Sequence, residues 1–598
     1  TIEFRLREKN TGGFPKGLSL MLASMTTWLH EADPLTPLRY ETPLAAVKER
    51  LENGEPVFQE LIKSLILDNP HNSFVTMKPD PKYAEKEDVL EAKKLQAQLN
   101  GLTDEDMQEL VDISKRLKEK QAAPDDPKDL AKIPTLGRSD LDKLMKFVPF
   151  SEEKISGATV LNHPLVTNGI VYFDLTFDFS NLTREQLQLA GLLSSCLTEL
   201  GTKNYSFVDL KEKIGTETGG IRSSTMITQE VSEDGRGTPV PKFVIRGKAM
   251  KSNSSSLFDL IGEIVTNVNV DNRDRLRQYL IEEKAGVESG IVPSGHMVAA
   301  SRLRAMYRVS DWATEQLGGV AYLSFLREIL ERVDNDWDNL VQELKAVQMA
   351  IFDRNTVVCN VTCPESDYND IRPALTSFVE SLPGDTPKGS GLLWVEEGAS
   401  KLRVDNEALI IPAGVNYVGK AANLRDMGFK PTGASALASK FLGTTYLWDV
   451  VRVQGGAYGG FCRLDNRSGT FTFLSYRDPN IMKTINAYDG AAKFLREVSL
   501  SDEELTKSII GVIGDIDSYQ LPDAKGFAGL VRYMTKETNE LRQQRRDEVL
   551  NASVKSFHEL GEVLSEAMSD ASVVVVGGEE ALKTAVSQGL KATPRQIL

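Results

Sequence analysis

The chain is poor in the residues that build metal sites. Its 598 residues include only 5 histidines, and no two of them lie within a helical turn or two of each other. Neither H-x-x-E-H nor H-E-x-x-H occurs, because His30-Glu31 and His558-Glu559 each lack the second histidine. A mononuclear zinc site usually takes paired histidines on one helix face and a carboxylate. We therefore expect no such site from this chain alone.

Cysteine is equally scarce. The four cysteines are too few and too scattered for a disulfide framework in a protein of this size, which indicates a reducing, intracellular compartment. Cys359 and Cys363 fall in a predicted strand, where side chains four residues apart are about 13 Å from each other. They are interpreted as structural. No apolar run approaches the roughly 18 residues that a membrane helix needs, so no membrane association is expected.

Basic residues are fewer than acidic residues in this chain. Lysine and arginine number 70 against 85 acidic residues, which gives a formal net charge of −15. This balance argues against nucleic-acid binding and favours cationic partners, although an acidic surface also simply keeps a large protein soluble. The chain also lacks a P-loop, a G-x-G-x-x-G motif and a G-x-S-x-G elbow. Nucleotide binding and serine-hydrolase chemistry are therefore not indicated.

One sequence pattern occurs twice. A Leu-Gly-Thr motif begins at Leu200 and recurs at Leu442, which is 442 − 200 = 242 residues later. Each copy is followed by a tyrosine, a helix-length stretch and a glycine pair, at 219–220 and at 459–460. Only the second copy carries an arginine six residues before a tyrosine, namely Arg452 and Tyr458. The pattern predicts one structural unit used twice.

A second repeat has a longer spacing. Trp28 matches Trp312 at a distance of 312 − 28 = 284 residues, which exceeds the first spacing by 42. The charged segment 82–123 supplies an insertion of this size, with two apolar helical stripes separated at 100–101. Thr103 and Asp106 resemble a capping box that opens the second helix. An αα-hairpin is predicted, with a solvated coiled-coil arm as the alternative.

The strand signals predict an α+β fold. Strict alternation over 171–179 predicts a half-buried strand with one wet face. Further strands are predicted to close three units at 73–77, 356–362 and 572–577. Helices segregated from period-two strands favour mainly antiparallel sheets. The predicted segments are the tail of an upstream domain at 1–80, a helical hairpin linker at 81–140, one domain at 141–385 and another at 386–598.

The glycine-rich segment is the main candidate for chemistry. It is predicted to be a mobile loop between a helix and a strand, where Gly455 and Gly456 leave room for another backbone. Arg452 supplies a fixed positive charge with bidentate donors, and the Tyr458 hydroxyl can donate to a carbonyl or a developing oxyanion. A turn without any ligand role remains the alternative from these residues alone.

Five segments carry a resemblance to a known family. They resemble the C-terminal half of the plant-type organellar presequence proteases, which belong to the pitrilysin and insulinase family of zinc peptidases. The likeness runs from Thr1 to the end of the chain. The segments are SGH at 294–296, NYVGK at 416–420, RVQGGAYGGF at 452–461, SYRDPN at 475–480 and DIDSYQLPDAKG at 515–526.

The resemblance implies four homologous pitrilysin-type domains in two bowl-like halves that are joined by a helical hairpin and close around a peptide. It places the zinc motif in the first domain, so zinc would be bound by an N-terminal half and not by this chain. Tyr458 would hold or polarise the scissile carbonyl during attack by zinc-bound water, and Arg452 would orient the peptide. Gly455 and Gly456 would contribute to substrate binding.

The same resemblance implies substrates and a location. The substrates would be short, unstructured and often cationic peptides, including cleaved targeting presequences, and the partner would be the N-terminal half of the same enzyme. The location would be the mitochondrial matrix, the chloroplast stroma or both. This chain, beginning in mid-domain at Thr1, is then expected to be an inactive piece when alone. A non-catalytic scaffold or core subunit built from the same domain is the alternative.

Overall fold

The structure, a computed structural model, describes residues 2–8, 14–123, 125–130, 132–384, 391–399, 402 and 405–598. The described chain divides into two compact units, one formed by residues 33–136 and the other by residues 1–32 together with 137–598. The predicted boundary between 385 and 386 lies outside the described residues. The predicted domain limits stay predictions.

Helices account for much of the chain. None in the described part is both long and apolar enough to span a membrane. Up to residue 136 the α-helices are α1 (Ile2–Glu8), α2 (Lys16–Trp28), α3 (Glu41–Glu52), α4 (Val57–Ile62), α5 (Tyr83–Gly101), α6 (Asp104–Ala122) and α7 (Pro127–Leu130). Between residues 137 and 384 they are α8 (Arg184–Cys196), α9 (Phe207–Glu217), α10 (Ser254–Asn267), α11 (Arg273–Ile291), α12 (Gly295–Ala305), α13 (Val309–Gly318), α14 (Val320–Asn335), α15 (Trp337–Ile351) and α16 (Glu365–Ser381). Beyond residue 390 they are α17 (Leu393–Ala399), α18 (Gly433–Leu442), α19 (Met482–Glu497), α20 (Asp502–Ile516), α21 (Pro522–Met534), α22 (Asn539–Leu550), α23 (Val554–Ala567) and α24 (Glu579–Ser587).

The smaller unit contains the helices α5 and α6. The Thr103 hydroxyl accepts a hydrogen bond from the Asp106 amide, and the Asp106 carboxylate accepts one from the Thr103 amide at 2.8 Å. This reciprocal pair confirms the predicted capping box. The strand predicted at 73–77 is wrong, because these residues are exposed and have no strand partner in the described part of the chain. An apolar run forms a strand only where a ladder satisfies its backbone.

The first sheet has six strands in the order β1-β2-β6-β3-β5-β4. Only the pair of β2 and β6 is parallel, and the other neighbours are antiparallel. Its apolar face packs against α8, α10 and α16. The strands are β1 (Ser151–Ile155), β2 (Ala158–Pro164), β3 (Ile170–Asp178), β4 (Ile221–Gln229), β5 (Pro239–Met250) and β6 (Val358–Cys363).

The second sheet has the order β12-β7-β11-β8-β10-β9, and five of its strands repeat this topology. The sixth strand differs, because β12 pairs with β7 in parallel whereas β1 pairs with β2 antiparallel. The parallel pair β7 and β11 corresponds to β2 and β6. The antiparallel strands β8, β10 and β9 lie next in the sheet and correspond to β3, β5 and β4. Its apolar core contains residues of α18, α19 and α23. The strands are β7 (Glu407–Ile410), β8 (Tyr417–Asn423), β9 (Gly459–Leu464), β10 (Thr470–Tyr476), β11 (Ser572–Gly577) and β12 (Pro594–Gln596).

The second face of each sheet is covered by a helix from the part of the chain that forms the other sheet. Helix α12 lies on the second sheet, where Leu303 packs on Gly419, and α21 lies on the first sheet. A Cβ atom on Gly526 would be 1.8 Å from the Thr362 hydroxyl, and one on Gly529 would be 2.4 Å from the His163 ring. Helix α21 therefore approaches the first sheet this closely because Gly526 and Gly529 have no side chain.

Helix α21 also corrects the interpretation of β3. This strand was expected to have one wet face, but both of its faces are buried. Burial raises the pKa of the Asp174 carboxyl, although Arg246 lies 2.6 Å away and Asn360 donates a hydrogen bond to it at 2.9 Å. The Phe527 ring of α21 covers the Arg246 guanidinium at 4.0 Å. Alternation within a strand cannot indicate that a helix roughly 350 residues later in the chain buries its polar face.

We predict that Gly526→Val destabilises the protein by about 1–3 kcal/mol, because the added side chain overpacks the contact between α21 and Thr362. Urea denaturation followed by tryptophan fluorescence measures the change. Gly514→Val is the matched control, since it lies in the adjacent helix α20 with no atom within 4 Å of its Cβ position. Equal stability of the two variants would contradict the close packing of α21.

Candidate functional site

The candidate site lies where a helix enters the edge strand of the second sheet. Helix α18 continues into a stretch of π-helix, Gly443–Val453, whose last turn carries Arg452. The chain then turns and enters β9 at Gly459. The amide of Gly456 donates to the Arg452 carbonyl at 2.9 Å, and the Ala457 amide donates to the Val451 carbonyl at 3.2 Å. These bonds tie the turn to the end of the helix.

Arg452 and Tyr458 lie side by side at the surface. The Arg452 guanidinium carbon is 4.0 Å from the centre of the Trp448 ring and 5.7 Å from the centre of the Tyr458 ring. The Tyr458 ring meets the Tyr476 ring edge to face at 5.9 Å, while 66% of Tyr458 remains exposed. The stacking holds the arginine by its flat face and leaves its edge donors and the tyrosine hydroxyl available to a ligand.

Contacts within the turn and with its own helix require glycine at several positions of this turn. A Cβ atom on Gly455 would be 2.4 Å from the Val451 carbonyl oxygen, and Gly456 has φ +80°. A Cβ atom on Gly460 would be 3.0 Å from the Cβ of Val451. The turn thus packs against its own helix. These contacts account for the glycines without a ligand. Substrate binding by Gly455 and Gly456 therefore stays a prediction.

The segment after β10 anchors the turn from the other side. The Asn480 side-chain amide donates to the Gly455 carbonyl at 2.6 Å. Asp478, whose pKa is raised by burial, accepts hydrogen bonds from the Asn480 amide at 2.8 Å and the Thr484 hydroxyl at 2.7 Å. Arg477 has φ +48°, which is unusual for a residue with a side chain. The effect of this polar cluster is to fix the backbone beside Tyr458.

Sequence reasoning did not identify His296 as a site residue. It lies in the first turn of α12, with its ring 4.9 Å from that of Tyr476 and 6.4 Å from that of Phe461. Its Nδ1 atom is buried without a hydrogen-bond partner in the described structure, and burial lowers the pKa of the ring. The motif at 294–296 is part of the family resemblance, but no spacing connects it to a segment roughly 150 residues away.

Other candidate residues have structural positions. Asp517 pairs with the buried Arg546 at 2.7 Å, and Arg546 also donates to the Asp142 carbonyl at 2.9 Å. Cys359 and Cys363 are free and buried in β6, and burial raises the pKa of the Cys363 thiol to about 12. Among the described residues, no three His, Cys, Asp or Glu side chains lie together as a group that could hold a metal ion.

Solved structures identify the fold. The chain aligns with an M16 peptidase inactive domain from Pseudomonas fluorescens with a TM-score of 0.52 and 14% identity, over 72% of this chain and 98% of that one. A protease from Helicobacter pylori aligns with a TM-score of 0.52 and 16% identity, over 72% of this chain and 100% of that one. The repeated sheet-and-helix unit is therefore the pitrilysin-type fold of M16 peptidases.

Sequence comparisons narrow the class. A family profile for the region associated with M16 peptidases of subfamily C matches residues 77–329, and one described as PreP C-terminal domain matches residues 406–579. The chain is 41% identical over 587 residues to presequence protease 1, chloroplastic/mitochondrial, of Arabidopsis thaliana, which covers 98% of this chain and 54% of that protein. The chain therefore resembles the presequence proteases of the M16 peptidase family.

The chain is also similar, at lower identity, to other proteins over nearly its whole length. The chain is 31% identical over 582 residues to Protein HypA of Clostridium perfringens, covering 97% of this chain and 58% of that protein. It is 22% identical over 601 residues to the mitochondrial presequence protease of Danio rerio, covering 97% of this chain and 57% of that protein. The chain spans about half the length of the relatives it matches.

We predict that His296 titrates below the usual pKa of histidine, since its ring is partly desolvated and the cause of the shift is burial. Because the unfolded chain binds this proton first, the contribution of His296 to stability should be lost as the pH falls from about 6.5 through the lower folded pKa. Proton NMR of the ring measures the midpoint, and His296→Gln identifies the resonance. A midpoint at or above 6.5 would contradict the desolvated environment.

Proposed function

We propose that this chain is the C-terminal half of a zinc metalloendopeptidase that degrades short unstructured peptides, including cleaved targeting presequences. The observation that carries the proposal is the adjacent pair of Arg452 and Tyr458, at a turn hydrogen-bonded to the preceding helix, in a chain that is 41% identical to a presequence protease. In this reading the chain forms half of a closed peptide chamber. The other half is the N-terminal part of the same enzyme.

The proposed roles follow from the geometry of the pair. The Tyr458 hydroxyl donates to a peptide carbonyl and favours the negative charge that develops there during attack. Arg452 donates in a fixed plane, because Trp448 stacks on it at 4.0 Å, and so orients the peptide backbone. Tyr476 and Asn480 position the pair through ring and backbone contacts.

Zinc would be held by the N-terminal half. The described residues of this chain offer no group of ligands for it. The expected substrates are often cationic, which suits a chain with a formal net charge of −15. By the names of its relatives we place the enzyme in the mitochondrial matrix, the chloroplast stroma or both.

A second candidate function is a non-catalytic scaffold built from the same fold. The absence of H-x-x-E-H from this sequence favours it as much as it favours a substrate-binding half. A scaffold has no peptide substrate for Arg452 and Tyr458 to bind. The two functions therefore differ in what substitution of that pair does.

We predict that this chain, mixed with a separately expressed zinc-bearing half, cleaves a fluorescent presequence peptide, whereas alone it does not. In the mixture, Tyr458→Phe should lower kcat by roughly 10²- to 10³-fold, the cost of removing one donor to an oxyanion. Arg452→Ala should lower kcat/KM, and Arg452→Lys should restore only part of it, because a lysine cannot donate in a plane.

Tyr519→Phe is the matched control, because Tyr519 is a half-exposed tyrosine outside this pair. Each variant should keep the thermal unfolding midpoint of the unsubstituted chain. Unchanged rates in both Tyr458→Phe and Arg452→Ala would support the scaffold. Chelator-sensitive cleavage by this chain alone would show that it holds a metal site of its own.

A further inference from the structure

A polar pocket lies on the second face of the first sheet. It is formed by neighbouring residues of β3, β5 and β4 together with the first turn of α21, and its volume is about 300 Å³. This volume is at the lower end of the range for small-ligand sites, so it suits one amino-acid residue better than a longer segment. The polar side chains that line it are Tyr172, Asp174, Arg222, Arg246, Lys248 and Asp523.

The sheet places two arginines side by side in this pocket. Arg222 of the edge strand β4 is the direct partner of Arg246 in β5. Like charges opposite each other on adjacent strands destabilise a sheet unless each is neutralised. Asp174 neutralises Arg246 at 2.6 Å, whereas Arg222 is exposed and has no ion pair among the described residues. The guanidinium donors of Arg222 are therefore available to an anion.

A carboxylate of the protein itself lies beside the pocket. Lys248 follows Arg246 on the same face of β5, and its ammonium nitrogen is 2.7 Å and 2.8 Å from the two oxygens of the Glu8 carboxylate. The Tyr172 hydroxyl donates to the same carboxylate at 3.3 Å. The cations on this face of the sheet therefore already bind one carboxylate, and that bond leaves Arg222 as the lining cation without a partner in the described structure.

Asp523 supplies an unpaired acceptor to the same pocket. It lies in the first turn of α21, and its Oδ1 atom is buried without a hydrogen-bond partner in the described structure. A buried carboxylate oxygen without a donor costs free energy, so a ligand that brings an N–H group to it is favoured. The pocket therefore combines unused donors at Arg222 with an unused acceptor at Asp523.

The backbone beside the pocket is free of side chains. The glycine pair at 219–220 lines the pocket and is the counterpart, in the first copy of the repeat, of the pair at 459–460. Gly220 has φ +118°, and no atom lies within 4 Å of its Cβ position. A residue with a side chain rarely adopts this backbone conformation. The glycines thus leave open space through which the main chain of a ligand can approach.

We propose that this pocket binds the C-terminal residue of a short peptide, with the terminal carboxylate at Arg222 and the backbone N–H at Asp523. A C-terminal residue carries both groups on one α-carbon, which matches a small cavity with an unpaired cation and an unpaired acceptor. The inference rests on the proposed function, because that function supplies the peptides. It adds to that function the recognition of a free peptide terminus by residues of the first sheet.

The test measures peptide binding to the full chain of 598 residues without the zinc-bearing half, so that no cleavage is expected to interfere. Two peptides of one sequence, labelled with fluorescein at the N-terminus, are compared by fluorescence anisotropy. One ends in a carboxylate and the other in an amide. The carboxylate form should bind roughly tenfold more tightly, because it makes a charge-assisted hydrogen bond that the amide form lacks. An amidated peptide that ends in glutamate should bind as weakly as the other amide.

Substitutions separate the two contacts. Arg222→Gln should lower the affinity of the carboxylate form to that of the amide form, and Arg222→Lys should keep part of the preference. Asp523→Asn should weaken both forms alike, because it removes the charge that the peptide N–H contacts. Arg184→Gln is the matched control, since Arg184 is an exposed arginine of α8 outside the pocket lining, and it should change neither affinity.

Equal affinity of the carboxylate and amide forms, including no binding of either, would overturn the proposal. A preference that survives in Arg222→Gln, or tight binding of the amidated glutamate peptide, would also overturn it. Each variant should keep the thermal unfolding midpoint of the unsubstituted chain. A failure of the proposed function is recognised separately, from the cleavage rates of the mixed halves with Arg452→Ala and Tyr458→Phe, which do not enter this binding measurement.

Discussion

The exchange of helices between the two sheets is the constraint on which the rest of the larger unit depends. Each sheet has one face covered by its own helices, and α21 and α12 cover the other faces reciprocally. The cover over the first sheet buries the ion pair of Asp174 and Arg246. A buried pair is favourable only while its hydrogen bonds and its apolar surroundings are complete. Asn360 and Phe527 supply these from two distant parts of the chain.

The same exchange positions the candidate site. Helix α12 lies in sequence with the first sheet, yet its first turn brings His296 against Tyr476, the neighbour of Tyr458. Arg308 also connects the parts of the chain that form the two sheets. Its guanidinium donates to the Gly235 carbonyl and to the Ser468 carbonyl. The aromatic surroundings of Arg452 and Tyr458 are therefore set partly by the first sheet and its helices, and residues outside the second sheet are part of the site.

Local sequence signals predicted the elements and the central pair of the site. The capping box at Thr103 and the twofold repeat needed only short-range patterns, and the structure has both. The wet face assigned to β3 and the strand assigned to 73–77 were wrong, because burial and pairing depend on partners that local patterns do not specify. His296 was missed for the same reason. Its proximity to Tyr476 exists only after α12 has packed on the second sheet.

The two copies of the repeat differ mainly in what occupies the space beside the edge strand. In the first copy α13 fills it, and the glycine pair at 219–220 is not preceded by an arginine six residues before a tyrosine. In the second copy α22 packs against α18, but the space beside β9 stays open next to Arg452, Trp448 and Tyr458. Filling stabilises a fold because it buries apolar surface, whereas an open apolar groove keeps that surface exposed at a cost. The copy with the open space is also the one that carries Arg452 and Tyr458, so both differences between the copies concern the same turn beside the edge strand.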